Sequence, residues 1–221
     1  MMMNLYCFPG LGADDRLFKR LQLNHYQIQN IYWLTPHQNE SLADYSRRLI
    51  PQIDQTQPFA LLGVSLGGIM VAELSHQLPA AHFFVISSVK SSKEFPFYLG
   101  LFRRLGFKYI ISASFLKALK PMIPFLFGRM NKTDKQLIFN MIDNADPLFL
   151  SWAAKAILSW KSKDELTPFH KITQIVGDRD LIFRHAKLPD CKIIKGGTHV
   201  MILNRAGEVS AIINELSYSI K

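Results

Sequence analysis

Residues 59–74, FALLGVSLGGIMVAEL, join two different periodicities. The first six form a continuous apolar run of strand length. From Leu66 onward apolar residues repeat at the spacing of an amphipathic helix. At the joint, Gly63-Val64-Ser65-Leu66-Gly67-Gly68 sets one hydroxyl among small and apolar neighbours. A strand that passes directly into a helix is the first half of a β-α-β unit, which implies a parallel sheet covered by helices.

The rest of the chain repeats the theme. Strand-like runs recur at MNLYCFP, IQNIYWL, HFFVIS, ITQIV and CKIIK. Segments of helical length, 13–21, 41–54 and 66–77, separate the early runs, and 200–220 is again helical in spacing. Continuous apolar runs suit strands covered on both faces. The expected fold class is α/β: three layers, α/β/α, around a mostly parallel sheet of about six strands. From 91 to 168 no strand is evident, and Pro121, Pro124 and Pro147 punctuate a Phe- and Lys-rich region read as several short helices. The expected organisation is a core of 1–90 and 169–221, with 91–168 inserted after the fourth strand as a helical cap at one sheet edge.

Composition narrows the function classes. A chain of 221 residues, 48% hydrophobic, supports one sizeable core and not two domains with a linker. No run reaches the roughly 18 apolar residues of a membrane span. The first nine residues carry no Lys or Arg, so no signal peptide is expected and a cytoplasmic location fits. Cys7 and Cys191 lie far apart within apolar runs and read as buried free thiols, not as a disulfide or metal pair. The net charge of +9 is concentrated: residues 90–135 hold ten Lys/Arg against Glu94 and Asp134. A basic region so rich in Phe, with no nucleic-acid motif, does not point to DNA or RNA.

Ser65 is where chemistry is expected. A serine held at a tight strand-to-helix turn projects its hydroxyl above the sheet, and the flanking glycines let strand and helix approach closely. The bland alternative is a plain turn with Ser65 as a helix cap. A hydroxyl attacks only when a base takes its proton and an acid orients that base. Among seven histidines, His199 follows the last strand-like run and a Gly-Gly pair and precedes the final helix, so it is the candidate base. His185 is second. For the acid, GDRDLIF offers Asp178 and Asp180 just beyond the fifth strand, and Asp180, ahead of an apolar pair, is preferred.

The order Ser65, Asp180, His199, each at the end of a strand, resembles the α/β-hydrolase fold family. GVSLGG is similar to its nucleophile elbow, GDRDLIF to its acid loop and GGTHVMI to its histidine loop. FPGLGADDRLF resembles the segment that supplies half of its oxyanion hole. There are two departures. Pro9-Gly10 stands where the family often has His-Gly, and the sheet begins at the oxyanion strand, without the two antiparallel strands that often precede it.

With strand order 2-1-3-4-5-6, the first and third strands flank a topological switch point, where a crevice opens beyond the strand ends. The backbone N–H groups of Leu11 and Leu66 are then expected to converge on an oxyanion. The resemblance, with a serine nucleophile, implies two-step acyl transfer from an ester or thioester. The alternatives are a carbon–carbon hydrolase or lyase of the same fold and, less favoured, a binding protein without catalysis. No cofactor, metal or nucleic acid is expected. The expected partner is a small ester or thioester, with an apolar acyl group. The basic, aromatic insertion reads either as an ordinary lid with solvated Lys/Arg or as a surface for anionic groups or lipid. Trp152 and Trp160 read as core residues.

Overall fold

The computed structural model describes residues 2–162, 172–184, 188 and 190–217. His170, His185 and the 168/169 boundary expected between insertion and core lie outside the described residues. The six strands are β1 (Met3–Phe8), β2 (Tyr26–Asn30), β3 (Phe59–Val64), β4 (His82–Ile86), β5 (Ile172–Gly177) and β6 (Lys192–Ile194). All pairings are parallel, as the β-α-β reading required, and the order is β2-β1-β3-β4-β5-β6, the one supposed for the switch point.

Strand parity builds two cores. Tyr6, Phe8, Phe59 and Leu61 point to one face, where α1 (Leu42–Leu49), α2 (Leu66–Leu74) and α7 (Pro147–Ser159) pack. Leu5, Cys7, Ala60 and Leu62 point to the other, against α6 (Lys132–Asn144), α8 (Met201–Asn204) and α9 (Ala206–Ser217). All six residues of β3 are buried, and each large one contributes about 1.5–3 kcal/mol by leaving water.

Three local expectations change. The helix read at 13–21 is only a 3-10 turn, Asp15–Phe18, capped by the Asp14 carboxylate, which accepts from the Arg16 N–H at 3.1 Å. β2 starts and ends earlier than IQNIYWL, because Trp33 and Leu34 leave the sheet to meet Phe149 and Tyr45. Trp33 stacks on Phe149 with centroids 4.9 Å apart. The helix after Ser65 is not amphipathic: all nine residues of α2 are buried, since the sheet covers one side and α1 and residues of the insertion cover the other. Its one charge, Glu73, accepts a 3.0 Å bond from the Trp160 indole N–H.

The segment between β4 and β5 contains α3 (Phe97–Arg104), α4 (Ala113–Ala118), α5 (Ile123–Leu126), α6 and α7. It does not keep to one sheet edge. Phe149 and Ala153 of α7 enter the first core, whereas Ile123 of α5 and Ile138 and Met141 of α6 enter the second. The insertion thus crosses the ends of the strands and closes both faces. Cys7 is buried and Cys191 half-buried, and both are free thiols. Trp160 is core, and Trp152 packs against it from a partly buried position.

Candidate active site

β3 delivers Ser65 in a backbone conformation that few L-residues adopt, φ 53° and ψ −114°. Such a conformation costs about 1–3 kcal/mol and persists only when its surroundings fix it. Here they do. The Ser65 N–H donates to Ile86 O at 3.0 Å, and its carbonyl accepts from Gly68 N, Ile69 N and the Ser88 hydroxyl, the last at 2.6 Å. A side chain on Gly67 would overlap the carbonyls of Phe8 and Pro9, so only glycine lets the elbow lie against the end of β1.

The loops that carry Asp180 and His199 are joined to one another. Asp178 N–H donates to Ile194 O at 3.2 Å and Arg179 N–H to Gly197 O at 2.9 Å. A side chain on Gly177 would overlap the Gly197 carbonyl, so this approach also requires glycine. The contacts bring His199 between Asp180 and Ser65. His199 Nδ1 lies 3.0 Å from Asp180 Oδ2, and Nε2 lies 3.1 Å from Ser65 Oγ. An ionised carboxylate only accepts, so Nδ1 carries the proton and Nε2 is left to accept from the Ser65 hydroxyl.

Asp180 is held from both sides. Its other oxygen, Oδ1, accepts from Ile182 N at 2.8 Å and Phe183 N at 3.0 Å. Burial by itself would raise the Asp180 pKa. The charge and hydrogen bond of His199, with the two backbone N–H groups, outweigh that and hold it below the ordinary carboxylate value. Asp178, by contrast, is exposed, and its Oδ1 accepts from Gly196 N at 2.6 Å to close the turn after β6. The structure therefore joins Ser65, His199 and Asp180 in one relay and leaves Asp178 outside it.

Leu11 follows Gly10, whose Cα would bear a Cβ 3.5 Å from Ser65 Cβ, so the loop after β1 lies beside Ser65. Among the described hydrogen bonds none uses the N–H of Leu11 or Leu66. Leu66 is the first residue of α2, so its N–H also sits at the positive end of a helix. The loop borders a cavity of about 170 Å³ with apolar walls at Trp33, Leu34, Met141 and Phe149. The polar residues at this cavity are Asp14, Asn144 and Asp146, so the Lys/Arg excess of the insertion does not rim it.

Three contributors gave no sequence signal. Ser88 binds the elbow carbonyl, while Phe127 and Phe183 cover the His199 ring at centroid distances of 4.8 and 5.8 Å. Ser88 and Phe127 lie outside every motif, and Phe183, although it closes GDRDLIF, meets the ring only through tertiary packing.

No protein-family model matches the sequence, and no curated protein matches it. Solved structures do match. A thermophilic esterase from Thermogutta terrifontis superposes with a TM-score of 0.69 at 16% identity, covering 98% of this chain and 90% of the esterase. A bromoperoxidase from Bacillus anthracis gives 0.69 at 16%, covering 96% and 91%. The chain has the α/β-hydrolase fold. The type II thioesterase BorB of the borrelidin biosynthetic cluster also shares the α/β-hydrolase fold, with a TM-score of 0.67 at 14% identity over 97% of this chain and 92% of BorB. Likeness over almost the whole length includes the insertion between β4 and β5.

Proposed function

We propose that the protein is a serine hydrolase that cleaves carboxylic esters or thioesters. The observation that carries this reading is the hydrogen-bonded chain Asp180–His199–Ser65, its acid and imidazole buried, with both bonds near 3 Å and the serine in a strained elbow. Esterase and thioesterase names among the structural relatives support it.

Ser65 Oγ forms a bond to the carbonyl carbon while its proton passes to His199 Nε2. Asp180 keeps the other ring proton on Nδ1 and stabilises the imidazolium. The carbonyl oxygen becomes an oxyanion, and the N–H groups of Leu11 and Leu66 are the proposed donors to it. The carbon–oxygen or carbon–sulfur bond then breaks, and the leaving alcohol or thiol takes the proton from His199. Water repeats the sequence on the acyl-enzyme: its proton goes to His199, its oxygen bonds to carbon, and Ser65 leaves with the proton restored.

In this reading 91–168 is a cap, and the cavity between Trp33, Met141 and Phe149 receives an apolar acyl group. A panel of esters, thioesters and carbon–carbon substrates tests the assignment. Turnover of an ester or thioester, lost in Ser65→Ala, is expected. Cleavage of the carbon–carbon substrates alone would move the protein to that other reaction class.

A further inference from the structure

Among the described residues, sixteen large hydrophobic side chains are exposed, and eleven of them fall within 97–126. Isolated exposed hydrophobics need no explanation, but a concentration of this kind marks a surface for something else. Phe97, Leu101 and Leu105 recur at four-residue spacing and so line one face of α3 and its end. Tyr109, at 79% exposure, and Phe125, at 69%, extend the surface toward α5.

The segment that forms this face carries charge of one sign. From Phe95 to Thr133 the sequence holds seven Lys/Arg and no Asp or Glu. Arg103 and Arg104 are exposed at the C-terminal end of α3, directly beside the apolar stripe. Lys117 and Lys120 are engaged at the surface by Asp143, whose carbonyl and carboxylate accept at 2.9 and 2.6 Å, so the exposed arginines of α3 supply the charge beside the stripe.

We infer that this outer face of α3–α5 docks on an anionic lipid surface. Short helices with aromatic and aliphatic residues on one side, whose own sequence carries cations and no acids, have the composition of interfacial elements. At eight, six and four residues, α3, α4 and α5 are far too short to span a bilayer, so the contact is superficial. A second copy of the chain is a poorer occupant. Pairing the face with itself sets the exposed Arg103 and Arg104 against like charge, and the remaining chain, with all 17 acidic residues and the other 19 basic ones, has no net negative charge to offer.

The patch also leads to the site. Phe125 and Leu126 are exposed, and the next residue, Phe127, lies against the His199 ring. A lipid surface touching α5 therefore holds amphiphilic esters close to Ser65. This last step rests on the proposed hydrolase function, whereas the docking itself does not.

Vesicle flotation of the full chain tests it, with phosphatidylcholine alone and with added phosphatidylglycerol. Binding to the anionic vesicles should be at least about ten-fold tighter and should weaken as salt rises. The pair Phe97→Ser with Phe125→Ser, and separately Arg103→Glu with Arg104→Glu, should each lower that binding about ten-fold or more. Unchanged melting temperatures establish that both variants are folded, and Ser65→Ala should bind as the parent does whether or not the chain is a hydrolase. Equal or absent binding to the two vesicle types, or binding indifferent to both pairs, overturns the inference. A concentration-dependent dimer lost in the Phe pair also overturns it, in favour of self-association.

Discussion

Replacing Asp180 by Asn should disable the site without disturbing its shape, and the structure says why. Oδ1 of Asp180 faces two backbone donors, Ile182 N and Phe183 N, while Oδ2 faces His199 Nδ1. An asparagine keeps the two backbone bonds only if its oxygen takes the Oδ1 position. Its NH₂ group then points at Nδ1 and donates, which forces the ring proton onto Nε2. That nitrogen can no longer accept the proton of Ser65, 3.1 Å away. Flipping the amide restores the tautomer but sets NH₂ against two N–H donors in a buried pocket. Either way the base is lost, and the analogous change in a serine protease lowers kcat by about 10⁴-fold, roughly 5 kcal/mol. Asp178→Asn keeps a carbonyl oxygen for the Gly196 N–H and should cost less than about ten-fold. Steady-state kinetics of the two variants on one ester decides between them. A larger loss in Asp178→Asn, or an Asp180→Asn enzyme within ten-fold of the parent, would refute the reasoning. The same pair has a pH signature. The folded Asp180 pKa lies below its unfolded value of about 3.9, so its ionisation stabilises the fold above that value and ceases to do so as pH falls through the folded pKa. The stability difference between parent and Asp180→Asn, measured by denaturant melts, should therefore persist at neutral pH and narrow below about pH 4.

Gly67→Ala should separate the elbow from β1, because its methyl overlaps the Phe8 and Pro9 carbonyls, and cost more than the roughly 1–3 kcal/mol of ordinary overpacking. Denaturant melts measure this, and a neutral substitution would contradict the close approach. Ser88→Ala removes the 2.6 Å bond to the Ser65 carbonyl and should cost about 1 kcal/mol of stability with a loss in kcat below about ten-fold. A full loss of activity there would make Ser88 part of the chemistry. In a series of linear acyl esters, kcat/KM should rise about three- to four-fold per methylene as each gains up to about 0.8 kcal/mol. It should level off after about five or six carbons if the acyl group enters the 170 Å³ cavity, at roughly 30 Å³ per water-sized unit. A flat profile would remove that cavity from the account.

Much of this was legible in the chain because parallel sheets write themselves as apolar runs. FALLGV coincides with β3 residue for residue, and the alternation of runs with helical segments led to the observed parallel pairing. The preference for Asp180 over Asp178 rested on the apolar pair behind it, and Ile182 of that pair, with Phe183 after it, turns its backbone N–H onto the carboxylate. Other features had no local signature. The sequence of α2 reads as amphipathic only if Glu73 faces water, and its actual partner, Trp160, is 87 residues away. A 3-10 turn at Asp15–Phe18, capped by Asp14, stands where a helix was read. The apolar, acid-free composition of 95–133 was visible, but not which side chains would stay outside. That depended on Ile123, Ile138 and Phe149 filling the two cores.

The central claim is that Ser65 is a nucleophile, and a fluorophosphonate tests it most directly. Incubation of the active protein should add one adduct by intact mass, located on Ser65 by peptide mapping, with turnover falling in step with labelling. Ser65→Ala should remain folded, take up no label and lose on the order of 10⁴-fold or more in kcat. An active protein that stays unlabelled, or an adduct on another residue while Ser65→Ala still turns over, would contradict the account.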